Sequence, residues 1–498
     1  MTVRYGQFYF GVGMQTSSPA RSLRNTASLA AILLGGALAG CAMMPKDGAT
    51  PAPKPPAAYA TSQSFTAPAA DWPKLDWWRA YGDTELDGLI DEALNGSPTI
   101  AQARARLDRA KANLGTARAG LFPTLSLSGT VVETKQSYHT GIPPEFVPKG
   151  YNDFAQGTLN FNYEFDFWGK NRDAVSAATS ESRAADADAA AARLILSTAV
   201  AGAYADLARL YAERDVAMRA AQSRQETYDL VARRVTDGAD NRSASQEAMA
   251  GVHTAKANLA EIDETIGLTR DELAALMGEG PDRGLSIARP GAASIKAFGL
   301  PPTLAADLIG RRPDVVAARW RAEAAAKRIG VAKAQFYPDI NLVADLGFEA
   351  LHVHNFFEAG SDIGSVGPAA TLPIFEGGRL RAGLRGAQAD YAEAVATYDS
   401  TLTQALQEVA DAAQSERDLG DRLSQSQAAL AADEDAYRIA RLRYEGGLSD
   451  YQSVLLVEDS VLVDRRVVVD LQARAFALDI QLVKALGGGF QVQDQTHG

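Results

Sequence analysis

The sequence predicts a mostly α-helical protein that also contributes four strands to a transmembrane β-barrel. Three observations predict this class: two very long stretches almost free of proline and glycine, short segments of strictly alternating polar and apolar residues, and an internal repeat of this order. From Lys170 to Val235 there is no proline and a single glycine, Gly202. A helix of that length measures about 100 Å at ~1.5 Å per residue.

The composition excludes several classes of function. The 498 residues are 46% hydrophobic and 22% charged, which is ordinary for a globular protein. With a single cysteine the chain cannot form an intramolecular disulfide, a cysteine-based zinc site or an iron–sulfur ligand set, and five histidines leave little for a metal site. The net charge of -12 has the wrong sign for nucleic acid. No apolar run reaches 18 residues, so we expect any membrane crossing to use strands.

The amino-terminal segment carries the pattern of a secretory signal. Arg21 and Arg24 precede an apolar run that is too short to span a bilayer, so we predict a signal peptide over residues 1–40, with Met1 or Met14 as the start. The run ends in Leu38-Ala39-Gly40-Cys41, which resembles the lipobox of bacterial lipoproteins. This resemblance implies an N-acyl and diacylglycerol lipid on Cys41, and no other cofactor is expected. Because Ala42 follows, and not aspartate, it also implies sorting to the outer membrane.

Most of the remaining chain consists of two copies of one sequence repeat. At an offset of 215, Ser97-Pro98-Thr99-Ile100 aligns with Arg312-Pro313-Asp314-Val315, and at an offset of 209, Gly238 aligns with Gly447. The predicted segments are a proline-rich tether at 41–76, a first repeat at 77–285, a linker at 286–303, a second repeat at 304–489 and a tail at 490–498.

Each repeat has the order medium helix, strand pair, very long helix, turn and long helix. We predict strands at about 124–132, 157–168, 339–349 and 364–375, and long helices at 170–236, 243–278, 379–445 and 449–486. Ser243 is the predicted cap of the second long helix. Adjacent apolar pairs seven residues apart in the last helix indicate helical neighbours along its length.

The segment after Gly157 alternates with a period of two, as expected for a strand. Its predicted lipid-facing residues are Leu159, Phe161, Tyr163, Phe165 and Phe167, while amides and carboxylates occupy the other face. Open sheet edges cannot face lipid, and four strands cannot close a barrel. Three chains would supply twelve strands and twelve long helices, so the sequence favours a homotrimer embedded in outer-membrane lipid.

We expect no enzyme activity. His352-Val353-His354 is the only close histidine pair in the sequence, and it has no accompanying carboxylate motif. No catalytic, cofactor-binding or metal-binding residues are therefore predicted.

The order of several weak motifs resembles the outer-membrane efflux protein family. These TolC-like proteins include lipoproteins of the NodT and OprM type. The motifs are Arg311-Arg312-Pro313-Asp314-Val315, Phe336-Tyr337-Pro338, Pro373-Ile374-Phe375-Glu376-Gly377-Gly378 and Tyr444-Glu445-Gly446-Gly447, together with the lipobox. The resemblance implies a TolC-like trimer in which a shared twelve-stranded β-barrel continues into a periplasmic barrel of twelve helices. It also implies a passive conduit for drugs or other small toxic compounds, served by a periplasmic adaptor and an inner-membrane pump of the resistance-nodulation-division (RND) class.

The resemblance assigns roles to the two helix turns, which we expect about 100 Å below the strands at the periplasmic mouth. Tyr444 matches the family's gate tyrosine, whereas Ser453 and Leu456 stand where relatives carry aspartates. Asp450 is either a gate residue or a helix cap beside Ser449. The alternative is a gate made by a ring of Leu456 or Gln452 side chains, one from each of three chains. The predicted adaptor-docking residues are Asp237, Gly238, Gly446, Gly447 and Leu448.

Two alternatives remain open at this level. An outlet for type I protein secretion is the runner-up within the family, and a periplasmic adaptor or coiled-coil structural protein is the runner-up outside it. The sequence identifies neither the substrates nor the particular pump and adaptor.

Overall fold

The structure, a computed structural model, describes residues 51–55, 58–139, 141–291, 299–301 and 304–492. The predicted signal peptide, Cys41 and the alternative start codons lie outside the described residues. The described chain divides into two compact units. The sheet unit contains Ala117–Val175 and Lys327–Ala389, and the helical unit contains the described residues of 51–116, 176–326 and 390–492.

The sheet unit is built on four antiparallel strands in the order β1-β2-β3-β4. The strands are β1 (Thr124–Thr134), β2 (Asn152–Glu164), β3 (Asp339–Leu351) and β4 (Asp362–Thr371). Leu127, Leu159 and Leu346 lie opposite one another across β1, β2 and β3, so one face carries a continuous apolar row. β1 and β4 are the two edges of the sheet within the chain.

Two predicted strand boundaries were wrong. β2 begins at Asn152, and not at 157, because Asn152 already pairs with Thr134 of β1. It ends at Glu164, and not at 168: Phe165 donates one last backbone bond to Ile340, after which the chain turns at Gly169 with φ of 78°. Phe165 and Phe167, predicted as lipid-facing strand residues, therefore lie just beyond β2.

The fourth strand is also displaced from its predicted range. β4 covers Asp362–Thr371, whereas 364–375 was expected. Pro373 has no backbone N–H to continue the ladder, so the strand ends before it. Pro368 lies inside β4 opposite Leu342.

Eight α-helices of eight residues or more occur in the described residues. They are α1 (Thr84–Gly96), α2 (Pro98–Ala119), α3 (Lys170–Thr236), α4 (Arg242–Met277), α5 (Leu304–Arg311), α6 (Pro313–Ala334), α7 (Arg379–Glu445) and α8 (Tyr451–Ala485). Both α3 and α7 have 67 residues, so each is about 100 Å long at ~1.5 Å per residue. We refer to α3 with α4 as hairpin 1 and to α7 with α8 as hairpin 2.

Short polar side chains and glycine determine where these helices begin and end. The N-cap of α4 is Asn241, not the predicted Ser243: its side-chain oxygen accepts the backbone N–H of Ala244 at 3.0 Å. α4 ends at Gly278, whose φ of 85° allows the left-handed conformation of a C-terminal cap. In the described part of the chain, no helix has a stretch long and apolar enough to cross a membrane.

The helical unit is held together by two large apolar clusters. The first surrounds Trp78 and Tyr204, and the second surrounds Leu308, Leu402 and Val409. Complete burial of an aliphatic side chain stabilises the folded state by ~1.5–3 kcal/mol.

The described part of the predicted tether, 41–76, is packed and not free. Tyr59, Phe65, Ala67 and Trp72 contact the second cluster, and Arg417 of α7 donates a hydrogen bond of 3.2 Å to the carbonyl of Thr66. The interspersed aromatic residues provide apolar surface to bury, which the proline content alone did not indicate.

Part of the predicted linker, 286–303, and part of the predicted tail, 490–498, are also packed. Leu300 exchanges backbone hydrogen bonds with Pro68 and Ala70. Phe490 and Val492 contact the cluster formed by Ala187, Val316 and Ala317.

Candidate functional site

The candidate site lies at the turns that connect the two helices of each hairpin. The turns have the same geometry: Gly238 and Gly447 adopt φ of 75° and 71°. In hairpin 1 the N–H of Ala239 bonds the carbonyl of Arg234 at 2.8 Å, and in hairpin 2 the N–H of Leu448 bonds the carbonyl of Arg443 at 2.8 Å. Both turns are therefore glycine-dependent C-terminal caps.

Tyr444, the predicted gate tyrosine, lies between the two hairpins of its own chain. Its side chain is 1% exposed, and its hydroxyl donates a hydrogen bond of 2.6 Å to Asp240 Oδ2 in the turn of hairpin 1. Burial and the hydrogen bond to Asp240 raise the pKa of Tyr444. The hydroxyl therefore remains a donor at any physiological pH.

Arg234 completes the contact between the turns. Its Nη1 donates to the backbone carbonyl of Tyr444 at 2.9 Å, and its Nε lies 3.4 Å from Asp240 Oδ2. The guanidinium carbon is 4.5 Å from the centroid of the Tyr444 ring, within range of a cation–π contact. Arg234, Asp240 and Tyr444 together form what we call the tip triad.

Tyr444 belongs to an apolar cluster at the turns, while Arg234 and Asp240 keep 18% and 15% of their side-chain surface exposed. The cluster contains Val231, Ala244, Ala248, Tyr451 and Val454, drawn from both hairpins. Charged hydrogen bonds are stronger in such surroundings than in water, and breaking one leaves a buried partner unsatisfied.

The other predicted gate residues lie elsewhere on the turn of hairpin 2. Asp450 is the N-cap of α8: its Oδ1 accepts the backbone N–H of Ser453 at 3.0 Å and the Ser453 hydroxyl at 2.6 Å. These bonds lower the pKa of Asp450. Gln452 is exposed, and Leu456 is 71% exposed. The structure does not bring these four residues to Tyr444 in hydrogen-bonding contact.

The residues predicted to dock the adaptor share exposure to solvent. They are Asp237, Gly238, Gly446, Gly447 and Leu448, of which Leu448 is 74% exposed. An exposed leucine at the end of a turn, next to charged residues, is available for contact with a partner protein.

Sequence reasoning missed Arg234 and Asp240. At the offset of 209, Asp240 aligns with Ser449 and Tyr444 aligns with Val235. The two repeats differ at both of these positions, as at most others in the turn, and the structure brings the acid of one repeat to the tyrosine of the other.

The predicted membrane-facing residues separate by face as expected for a strand. On the polar face, Ser128 and Thr158 hydroxyls lie 2.8 Å apart, and Asn160 donates to Ser128 at 3.0 Å. On the other face, the rings of Tyr163 and Phe165 meet edge to face at 5.2 Å, and Phe165 stacks on Phe167 at 5.8 Å. Leu159 and Phe161 continue this apolar face along β2.

Within the described residues, no group of three or more histidine, cysteine, aspartate or glutamate side chains is arranged to hold a metal ion. His352 Nδ1 lies 3.0 Å from Asp153 Oδ1, and its ring stacks on that of His354. This pair lies in the connection between β3 and β4.

Comparison with known proteins identifies the family. The model of the outer membrane efflux protein family matches residues 89–279 and 304–488, so both repeats are covered. The chain belongs to this family. The sequence-based assignment is thus confirmed, together with its fold class, its outer-membrane location and its role in efflux.

Individual relatives show how far the similarity extends. The chain is 36% identical over 383 residues to the fusaric acid resistance protein FusA of Burkholderia cepacia, covering 74% of this chain and 70% of that protein. It is 29% identical over 468 residues to the multidrug resistance outer membrane protein MdtP of Escherichia coli, covering 91% and 94%. Among solved structures, the outer membrane protein VceC of Vibrio cholerae has a TM-score of 0.80 and 45% identity over 84% of this chain and 100% of that one.

Proposed function

We propose that this protein is the outer-membrane channel of a tripartite efflux pump. In this proposal three copies, anchored by lipid on Cys41, form a passive conduit. The conduit receives drugs or other small toxic compounds from a periplasmic adaptor and an inner-membrane RND transporter and releases them outside the cell. The pump supplies the energy, and the channel catalyses no reaction of its own.

The observation that carries the proposal is the four-stranded sheet, whose outer strands β1 and β4 each pair with only one other strand among the described residues of the chain. The strands have 10 to 13 residues, and roughly 9 to 11 suffice to cross a bilayer when tilted. In lipid, the backbone groups along β1 and β4 must be paired. Pairing β1 of one copy with β4 of the next satisfies both edges, and three copies give a closed barrel of twelve strands.

The long helices supply the periplasmic part of the conduit. Each chain contributes α3, α4, α7 and α8, so a trimer contributes twelve. Small side chains such as Ala248 and Ala244 allow close approach between neighbouring helices.

The tip triad supports a closed resting state at the periplasmic mouth. Separating the two hairpins would break the Tyr444–Asp240 bond and the Arg234 bond to the Tyr444 carbonyl together. In our proposal the adaptor engages the exposed turn residues, such as Gly447 and Leu448, and the binding energy offsets the loss of these bonds.

The test is to locate and characterise the native assembly. We expect heat-modifiable, detergent-dependent trimers in the outer-membrane fraction, and a deletion strain that becomes sensitive to drugs, dyes and bile salts until the gene is restored. A soluble monomer would contradict the channel and favour an adaptor. Loss of protein secretion with unchanged drug sensitivity would favour the type I outlet.

A further inference from the structure

A second polar contact joins the two hairpins about 15 Å along α3 from Arg234, given ten residues at ~1.5 Å each. Arg224 of α3 and Glu458 of α8 have side chains that are only 7% and 3% exposed. Arg224 Nη1 lies 3.3 Å from Glu458 Oε2, and the Ser223 hydroxyl donates to Glu458 Oε1 at 3.1 Å. We call Ser223, Arg224 and Glu458 the buried cluster.

All four long helices meet at the buried cluster. Besides α3 and α8, α7 contributes Tyr437, whose hydroxyl is 3.4 Å from the Ser223 hydroxyl. α4 contributes Gly251, where a β-carbon would lie 3.7 Å from Arg224 Nη1. A movement of one hairpin relative to the other therefore changes the surroundings of Glu458.

The hydrogen bonding of this region is incomplete in the closed arrangement. Among the described residues, Arg224 Nη1 and Glu458 Oε2 are buried and in ion-pair contact at 3.3 Å, but neither atom makes a hydrogen bond of good geometry. Arg224 Nη2 pairs instead with Asp459, which is 61% exposed. A buried charge with an unmade hydrogen bond is destabilised relative to the same charge in water. The carboxylate of Glu458 is therefore better solvated when the hairpins separate.

We propose that Glu458 is a proton-responsive gating residue, whose neutral form favours the closed hairpins and whose ionised form favours their separation. The inference rests on the proposed channel function and goes beyond it by naming a residue that tunes opening. If the Glu458 carboxyl binds its proton more tightly in the closed state than in the open state, protonation at low pH must stabilise the closed state, by thermodynamic linkage. Opening then increases as pH rises.

The electrostatics of the closed state agree with this direction. The pKa of Glu458 is raised, mainly because the carboxyl is buried, and the negative charge of Asp459 adds to this increase. The charge of Arg224, the hydrogen bond from Ser223 and the charge of Arg441 in α7 lower the pKa, but they do not cancel the effect of burial. Arginine stays charged over the physiological range. Burial raises the pKa of Tyr451, so that hydroxyl stays neutral. From α4, Glu247 faces Tyr451, and Tyr437 of α7 faces Ser223.

The experiment records single-channel currents of the purified trimer in planar bilayers between pH 5 and pH 8 and determines the open probability at each pH. The wild-type open probability should rise with pH. Glu458→Gln, which mimics the neutral acid, should remove the pH dependence and keep the open probability at its low-pH value. The matched control is Glu434→Gln, because Glu434 is half-exposed and pairs at 2.7 Å with Arg465 inside hairpin 2. The control should keep the wild-type slope.

A second variant covers the case in which Glu458→Gln fails to assemble. Ser223→Ala removes a donor to the ionised carboxylate, so the midpoint of the pH response should move upward by about one pH unit. A pH-independent wild type, an unchanged slope in Glu458→Gln, or an unmoved midpoint in Ser223→Ala would overturn the proposal while the channel stands. If neither the wild type nor the tip variant Arg234→Ala conducts at any pH, the channel function itself fails, and this inference fails with it.

Discussion

The Tyr444 hydroxyl donates a 2.6 Å hydrogen bond to Asp240, a residue 204 positions earlier in the chain and in the other hairpin. The same tyrosine carries the ring and the backbone carbonyl that Arg234 contacts. One residue at the end of α7 thus connects to hairpin 1 through three of its groups. This convergence makes the tip triad the part of the molecule where small substitutions should have the largest effect on opening.

Tyr444→Phe should open the channel without unfolding it. Loss of a hydrogen bond to a charged acceptor costs about 1.5–3 kcal/mol, which shifts a closed–open equilibrium on the order of 10- to 100-fold. Uptake of a large hydrophilic antibiotic by cells that carry the variant measures the shift. Tyr228→Phe, a partly buried tyrosine of the same cluster, is the matched control. Equal uptake in the two strains would contradict the role of the Tyr444 hydroxyl.

Arg234→Ala should open the channel at least as strongly, because it removes both the bond to the Tyr444 carbonyl and the cation–π contact. Arg234→Lys should recover only part of the closure, since an ammonium group lacks the planar fork of guanidinium. Arg438→Ala serves as the control: Arg438 is exposed and pairs with Asp435 within α7. Conductance in planar bilayers distinguishes these variants. If Arg234→Ala conducts like the wild type, Arg234 does not contribute to closing the channel.

Asp450 should behave as a helix cap. Asp450→Asn keeps a cap acceptor and should leave the first turn of α8 ordered, whereas Asp450→Ala should accelerate amide hydrogen exchange at Ser453. Because hydrogen bonds from Ser453 lower the pKa of Asp450 in the folded state, the stabilisation is present above the unfolded pKa of about 3.9. This stabilisation is lost as the pH falls through the pKa that Asp450 has in the folded state. A large change in conductance for Asp450→Asn would instead indicate a gate residue.

The two faces of β2 should differ in their tolerance of charge. Phe161→Arg places a guanidinium on the apolar face and should cost ~2–4 kcal/mol near the bilayer midplane. Asn160→Arg, one residue away on the polar face, should assemble normally. The yield of heat-modifiable trimer is the measurement. Equal yields for the two variants would contradict the assignment of lipid and lumen faces.

Gly447→Asp should abolish efflux while trimers still form. Gly447 has φ of 71°, so a side chain strains the turn, and the added carboxylate changes the surface offered to a partner. Gly420→Asp is the control, because a β-carbon at Gly420 in the interior of α7 meets open space. Drug susceptibility and trimer assembly are measured together. Unchanged susceptibility with intact trimers would move the docking surface away from this turn.

The features governed by local chemistry were predictable from the sequence. The absence of proline, with Gly202 as the single glycine, indicated the length of α3, and period-two alternation indicated the existence of β2. The beginning of β2 was not predictable, because Asn152 joins the strand through pairing with Thr134. The segment around Trp72 was also misjudged, since its packing depends on an apolar cluster assembled from distant helices.

The candidate site was predicted only in part for the same reason. Tyr444 was identified through its family motif, and the cap role of Asp450 was one of two interpretations left open. Arg234 and Asp240 are brought to Tyr444 only by the packing of hairpin 1 against hairpin 2. No single-sequence pattern encodes that contact.

The tyrosine–acid contact depends on a difference between the two halves of the duplicated chain. A gene with two identical first halves would set Val235 against Asp240, and one with two identical second halves would set Tyr444 against Ser449. Neither arrangement reproduces the tyrosine–carboxylate hydrogen bond seen here. Closure by this contact therefore depends on the two halves being different, and exchanging one half for the other should undo it.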